Sequence, residues 1–324
     1  MPGVRADQLV LYTKDMYKAE RESYKEIPTT FDKIFKVVNN VTGAGDKVTQ
    51  ILGLGRLTRH TVEGQDIQFK SPVQGWEYLV KYWTYSDGCA LTKEAVEDTV
   101  KLGNLIKDLA ATWGKFVRIA EEDMGATVFI HGGDLLGEWV FNGTHTGNTA
   151  TYGDMLYDNK PLFNLTGNSR SSKASGTYYN SVAGLTLTPG NFETLYNLHT
   201  ATNNRDERDE IITNPADTLL TRVGADAFLA ERLLNTEKMP NGQLNDVNPY
   251  YKIVTPIAWD YLTETAFYLG KRQSDKFQFH KRQLPEIRFF RDENNRGYKV
   301  SIDIRQGVLI KDWRVWSRGG GTSS

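Results

Sequence analysis

Cysteine is nearly absent: Cys89 is the one thiol in 324 residues, which excludes an internal disulfide framework and makes a reducing cytoplasm the expected place of folding. Long apolar runs are absent as well. No stretch approaches the roughly 20 apolar residues of a membrane helix, and the start, Met1 to Asp7, has no apolar signal core. Neither a membrane partner nor secretion is expected. An excess of one charge is also missing. The 39 basic and 40 acidic residues leave a formal net charge of -1, so the molecule as a whole has no electrostatic reason to seek nucleic acid. What is present, 39% hydrophobic and 24% charged residues with a mean hydropathy of -0.49, describes a soluble protein. It is long enough for one large or two ordinary domains.

Catalytic signatures are missing too. The five histidines, His60, His131, His145, His199 and His280, include no pair at helical metal-ligand spacing and no HExxH, so no zinc site is expected. Gly53-Leu54-Gly55-Arg56 and Gly132-Gly133 complete neither a dinucleotide fingerprint nor a phosphate loop, and no nucleotide cofactor is implied. Cys89 follows Asp87-Gly88 at the expected entrance of a long helix, where a thiol pKa can fall. Without a base partner it reads as a small structural residue. Arg205 to Glu210 alternates charge and reads as a solvated surface with weak ion pairs. No catalytic, cofactor-binding or metal-ligating residue is predicted, and the chain is not expected to be an enzyme.

The first thirty residues are charge-rich, interrupted by Leu9-Val10-Leu11-Tyr12, and end at Ile27-Pro28-Thr29-Thr30. Such a segment reads as an arm that orders only against something else, with another copy of the chain as the candidate. From Asp46 to Asp87 the pattern has period two, with glycines at Gly43, Gly45, Gly53, Gly55, Gly64 and Gly75, which suits a bent hairpin ribbon. Two readings stand: a hairpin packed on its own domain, or an excursion onto a neighbouring subunit. Leu91 to Asp123 predicts a helix, because Leu102, Ile106, Leu109, Trp113, Phe116 and Ala120 recur at spacings of three and four. Thr92 is the expected N-cap, with Glu94 and Glu97 near the positive helix end. Gly103 and Gly114 each weaken it by about 1 kcal/mol relative to Ala, and mark either close packing of another element or a bend.

From Met124 to Ala183 the chain is rich in Gly, Asn, Ser and Thr, with apolar islands at Ala126 to Ile130 and Trp139 to Phe141 that read as short strands. Thr188-Pro189 predicts a helix start, Thr as N-cap and Pro at the first position. Asn214 to Thr221 reads as a loop entering a buried strand, and Gly224 to Leu234 as a short helix carrying Phe228, Leu229 and Leu233. A strand in Tyr298 to Ile304, a turn near Arg305-Gln306-Gly307 and a last strand in Val308 to Trp316 close the chain. A basic excess runs from Lys271-Arg272 through Lys276, Lys281-Arg282 and Arg288 to Arg291, with Phe277, Phe279 and His280 interleaved. It reads as a strand with both Phe facing the core, or as a face for nucleic-acid phosphates.

The arm, the glycine-punctuated ribbon, the long helix, and Asp158 to Phe163 followed by Thr188-Pro189 resemble the major capsid protein of tailed phages, the Hong Kong 97 type fold. Within that family the chain resembles Mu-type head subunits. In that family Asp-Gly-x-x-Leu-Phe is commonly followed by His-Pro-Asn. Here Asp158-Asn159-Lys160-Pro161-Leu162-Phe163 is followed by Leu165-Thr166-Gly167-Asn168, without the His-Pro pair. The departure bears on the subfamily more than on the fold.

The resemblance implies an α+β chain. An N-terminal arm falls at 1–45, an extended β-hairpin loop at 46–88, and a peripheral domain at 89–186 with a spine helix at 91–123. An axial domain falls at 187–284, and 285–324 returns to the peripheral domain and forms the tail. It implies self-assembly through hexamers and pentamers into an icosahedral virion head, built in the host cytoplasm around double-stranded DNA held non-specifically. Scaffolding, portal and decoration proteins are further partners, the scaffold expected as a separate protein. Some family members cross-link a Lys to an Asn between subunits; Lys47 and Lys70 lie in the ribbon, and assembly without cross-links is expected. Deleting residues 1–30 is expected to leave a folded subunit that assembles poorly. An encapsulin-like bacterial compartment shares this fold and stands as an alternative. So does an unrecognised α+β enzyme using Cys89 or the histidines.

Overall fold

Met16, Tyr17, Ala19, Glu20, Ser23 and Tyr24 recur at helical spacing, and in the computed structural model they lie on a 21-residue helix, α1 (Ala6–Glu26). The structure describes residues 6–39, 41–43, 45–52, 57, 59, 61–64, 66–67, 69, 73–92, 102–133, 160–172, 176–238, 247–291 and 297–320. After α1 come α2 (Phe31–Ile34), β1 (Phe35–Asn39), β2 (Gly45–Leu52), β3 (Val73–Lys81), β4 (Trp83–Leu91) and the long helix α3 (Leu102–Ile130). The second half holds β5 (Arg170–Ser171), β6 (Thr177–Tyr178), β7 (Ser181–Val182), α4 (Pro189–Asn197), β8 (Thr218–Arg222), α5 (Ala225–Asn235) and β9 (Thr255–Trp259). It closes with β10 (Phe267–Gly270), β11 (Ser274–Arg291), β12 (Tyr298–Ile310) and β13 (Trp316–Gly319).

The chain divides into two compact units, one of Met1–Gly45, Lys81–Gly125 and Gln278–Val308, the other of Asp46–Val80, Ala126–Phe277 and Leu309–Ser324. In the first, a four-stranded sheet has the order β1-β11-β12-β4. The β12 strand runs antiparallel to β4, from Tyr298 opposite Leu91 to Gln306 opposite Trp83. Its alternation puts Val300, Ile302 and Ile304 inward, as period two requires. Against them pack Ile106, Ala110, Trp113 and Val117, the stripe of α3 at spacings of three and four, together with Met16 of α1. Trp113 Nε1 donates to Asp87 Oδ2 at 2.8 Å, and Ile287 N donates to Tyr17 Oη at 2.9 Å.

The segment expected to be an arm therefore finds its support in its own chain. Its apolar groups are few, but they fall on one face, and that face is enough once α3 supplies the opposite surface. The long helix also differs from expectation. Leu91 ends β4, so the helix does not start there, and it continues seven residues past Asp123 to Ile130. The apolar island Ala126 to Ile130, expected as a short strand, is helical, because burial of Ala126, Val128 and Phe129, each 0% exposed, overrides local preference. Phe116 points outward, 57% exposed.

In the second unit a mixed five-stranded sheet has the order β7-β13-β10-β8-β9. Antiparallel pairs join β10 to β13 and to β8, and parallel pairs join β13 to β7 and β8 to β9. Thr188 caps α4, accepting from Asn191 N at 3.3 Å, with Pro189 in the first turn. Phe192, Leu195, Leu233 and Leu234 of α4 and α5 pack on Leu219 and Leu269 of the sheet. Phe129, at the end of α3, stands edge-on to Tyr268 and Trp316, both at 5.1 Å.

Separately, β2 and β3 pair as a two-stranded ribbon. The strand read as Trp76 to Tyr85 is two strands, and Trp83 onward belongs to the four-stranded sheet rather than to an extended loop ending at 88. The expected turn at Arg305-Gln306-Gly307 is absent; β12 runs through it. Trp316–Gly319 is an interior strand of the five-stranded sheet, in the second unit. Glu94, Glu97, Trp139 to Phe141, Asp158, Asn159, His60, His145 and Lys70 lie outside the described residues.

Candidate functional site

The helical face that seats α1 also carries charge. Glu121 of α3 is 3% exposed; it accepts from Tyr24 Oη at 2.5 Å and pairs with Lys281 Nζ of β11 at 2.6 Å. Arg118 Nη1 and Lys281 Nζ each donate to Tyr24 Oη at 2.8 Å, and the Arg118 guanidinium lies 4.6 Å from the centre of the Tyr24 ring. Burial first, then the Glu121 carboxylate, raises the Tyr24 pKa far above the ordinary phenol value. The phenol stays protonated and has no role as a base. Beside it, Glu122 accepts from Thr30 N at 2.7 Å and Phe31 N at 3.2 Å, satisfying backbone donors at the start of α2. Chemically the cluster is a clamp, two cations and a phenol around one carboxylate.

In the second unit, Arg314 donates to Glu207 Oε1 at 3.0 Å and to Asp312 Oδ1 at 3.2 Å, and Lys276 pairs with Asp312 at 2.7 Å. Burial alone would raise the Asp312 pKa, but Arg314 and Lys276 outweigh it and hold the carboxyl below its usual range. Glu207 belongs to the Arg205 to Glu210 run expected to be solvated, yet it is 4% exposed. Its neighbour Asp209 accepts from Tyr178 Oη at 2.6 Å and Gly176 N at 3.0 Å. The hydrogen bond from Tyr178, more than any other contact, keeps Asp209 below the usual carboxylate range. The run turns inward because its partners come from distant segments that spacing along the chain does not reveal.

A Ser-His contact is the arrangement most like catalytic machinery: His199 Nδ1 lies 2.9 Å from Ser317 Oγ. This pairing activates serine nucleophiles elsewhere, but both residues are 0% exposed, and no substrate carbonyl reaches the hydroxyl. Burial lowers the His199 pKa to about 4, against opposing effects from the Pro215 carbonyl and Asp217. The ring is neutral at physiological pH. Cys89 sits within β4 opposite Val300, not at a helix entrance, so the electrostatic case for a reactive thiol falls away. His280 bridges Tyr82 Oη at 2.9 Å and Gln278 Oε1 at 2.8 Å. Among the described residues no group of three His, Cys, Asp or Glu could hold a metal ion.

Much of the basic excess of β11 is matched by carboxylates of the same chain. Phe277 and Phe279 are 0% exposed, Lys276 and Lys281 pair with Asp312 and Glu121, and Arg288 pairs with Glu286. The described residues also leave large apolar groups outward: Leu57 100%, Val62 69%, Ile67 67% and Phe69 94% exposed between β2 and β3, and Phe228 72% on α5. Of Phe228, Leu229 and Leu233, the three apolar residues that the sequence gives this helix, only Leu233 is buried.

No protein-family model and no curated protein matches the chain. Solved structures do. The capsid of cyanophage P-SCSP1u matches with TM-score 0.52 and 8% identity over 91% of this chain and 89% of that one. A Mycobacterium phage Patience structure matches with TM-score 0.51 and 11% identity over 99% and 91%. A virus-like particle from Pyrococcus furiosus matches with TM-score 0.50 and 10% identity over 95% and 98%. Nearly the whole length of each partner is spanned, so the likeness is one of complete architecture. The chain has the α+β fold of Hong Kong 97 type capsid subunits.

Proposed function

We propose that the protein is the major capsid subunit of a tailed-phage head, self-assembling into an icosahedral shell around double-stranded DNA. The observation that carries this reading is the segment between β2 and β3, where Leu57 and Phe69 stand almost wholly in solvent. Large exposed apolar groups mark contact sites, and on this fold a second copy of the chain is the natural cover. Each such contact is modest, but every subunit of a shell makes several, and the sum is multivalent.

In this reading the ribbon of 46–80 reaches a neighbouring subunit, the five-stranded sheet with α4 and α5 meets the symmetry axes in hexamers and pentamers, and the four-stranded sheet with α3 forms the periphery. Scaffolding, portal and decoration proteins would be the partners of the assembled head, and assembly would take place in the host cytoplasm. The role is structural rather than enzymatic, which fits buried titratable groups engaged with one another. Two of the three matching structures named above come from phages, which favours a head over an encapsulin-like compartment. Nearness to Mu-type subunits rests on the sequence resemblance alone. Electron microscopy of the purified protein tests the reading: closed shells or capsomer rings are expected, and a strictly monomeric protein with enzymatic turnover would overturn it.

A further inference from the structure

With Lys276, Lys281 and Arg288 of β11 each paired to a carboxylate, further outward basic charge in the first unit gathers on another element. Lys14, Lys18, Arg21 and Lys25 are all exposed on α1 at spacings of four, three and four, which puts them on one face. With Tyr17 and Glu22 they border an open hollow of about 460 Å³. Lys18 has an acidic partner, Glu22 at 4.0 Å with both side chains exposed, a geometry worth little in water. Of the other acids on this helix, Asp15 pairs with Lys107 at 3.0 Å and Glu26 with Lys115 at 3.1 Å, and Glu20 is buried, 4% exposed. The stripe therefore carries net positive charge over roughly 16 Å of helix.

We propose that this stripe on α1 is a contact surface for the phosphate backbone of double-stranded DNA. It deepens the head-shell reading, on which the identity of the DNA as the packaged genome rests. The chemistry favours phosphate over a protein partner. Among its exposed side chains the stripe has no large apolar anchor of the kind that carries binding energy in protein interfaces. Long flexible cations spaced a helical turn apart suit a uniform line of charge, one per ~1.7 Å of duplex axis. Recognition would be independent of base sequence, since nothing in the stripe is shaped to read base edges.

The test uses unassembled full-length subunits and a short fluorescent duplex, with anisotropy followed at increasing KCl. Binding should weaken with salt with a logarithmic slope of about -3, the value for three to four neutralised phosphates. The variant Lys14→Gln/Lys18→Gln/Arg21→Gln/Lys25→Gln should bind at least about tenfold more weakly at low salt and lose most of that slope. Circular dichroism should show it folded, because all four side chains are exposed. A control, Lys271→Gln/Arg272→Gln, removes charge from another exposed segment and should bind like the parent. Equal affinity of the quadruple variant and the parent would overturn the proposal. So would an equal loss in the control, or stronger binding of poly-glutamate than of DNA, which would assign the stripe to an acidic protein. Failure of the parent to form shells under the microscope would instead count against the head reading and leave the binding result standing.

Discussion

Gly114 of α3 lies directly against the main chain of Glu20 in α1: a Cβ at position 114 would fall well inside the van der Waals contact distance of the Glu20 carbonyl oxygen. A glycine in mid-helix costs about 1 kcal/mol in propensity, and here it allows two helices to approach backbone to backbone. Gly114→Ala is therefore expected to destabilise the protein by about 1–3 kcal/mol through overpacking, despite its better helix propensity. Gly190→Ala is the comparison, because nothing lies within 4 Å of its added Cβ. Chemical denaturation should show a loss for the first and none for the second.

The Tyr24, Arg118, Glu121 and Lys281 cluster gives a second contrast. Glu121→Ala leaves two buried cations without their carboxylate, and breaking a buried pair this way costs about 3–5 kcal/mol. Lys18→Ala removes an exposed partner of Glu22 and should change stability by no more than about 0.5 kcal/mol. Equal effects would mean that the buried cluster does not fasten α1.

His199 makes stability depend on pH in a defined window. Its folded pKa of about 4 lies below the ordinary value of 6.5, so the folded state resists protonation while the unfolded chain accepts it. The contribution is neutral above pH 6.5. As pH falls through 6.5 toward 4 the unfolded state binds more protons and stability declines, by about 3 kcal/mol in all at 1.36 kcal/mol per pKa unit. His199→Gln should flatten unfolding midpoints across that window. An unchanged slope in the variant would place the pH dependence elsewhere.

Much of the local structure was legible in the sequence, and its failures share one cause. Thr188-Pro189 announced α4 because an N-cap and a first-turn proline act within four residues. Ile106 and Trp113 announced α3 for the same reason of short range. Glu207 was misread because its partner Arg314 lies 107 residues away, and a charge run carries no mark of whether a distant cation will meet it. The helix α1 was not legible because low apolar content hid its geometry: Met16 is fully buried although few of its neighbours are apolar. The Ser-His contact had no sequence signal, since His199 reaches the interior through the π-helical turn Leu198–Thr202.

That correction changes what truncation should do. Removing residues 1–30 would strip Met16, Tyr17 and Tyr24 from the core shared with Ile106 and Trp113, exposing apolar surface and taking the Tyr24 hydroxyl donor from Glu121. The truncated chain should show lost cooperativity in thermal unfolding or aggregation, rather than a sound subunit that merely assembles poorly. An unaltered unfolding transition would show that α1 is an accessory segment after all.

The central claim, that this chain builds a shell, is tested most directly by electron microscopy of the purified full-length protein across a range of concentrations. Closed shells or five- and six-fold rings are predicted, and they should be weakened by the double variant Leu57→Ser/Phe69→Ser without loss of the folded circular dichroism spectrum. A protein that stays strictly monomeric at every concentration would contradict it.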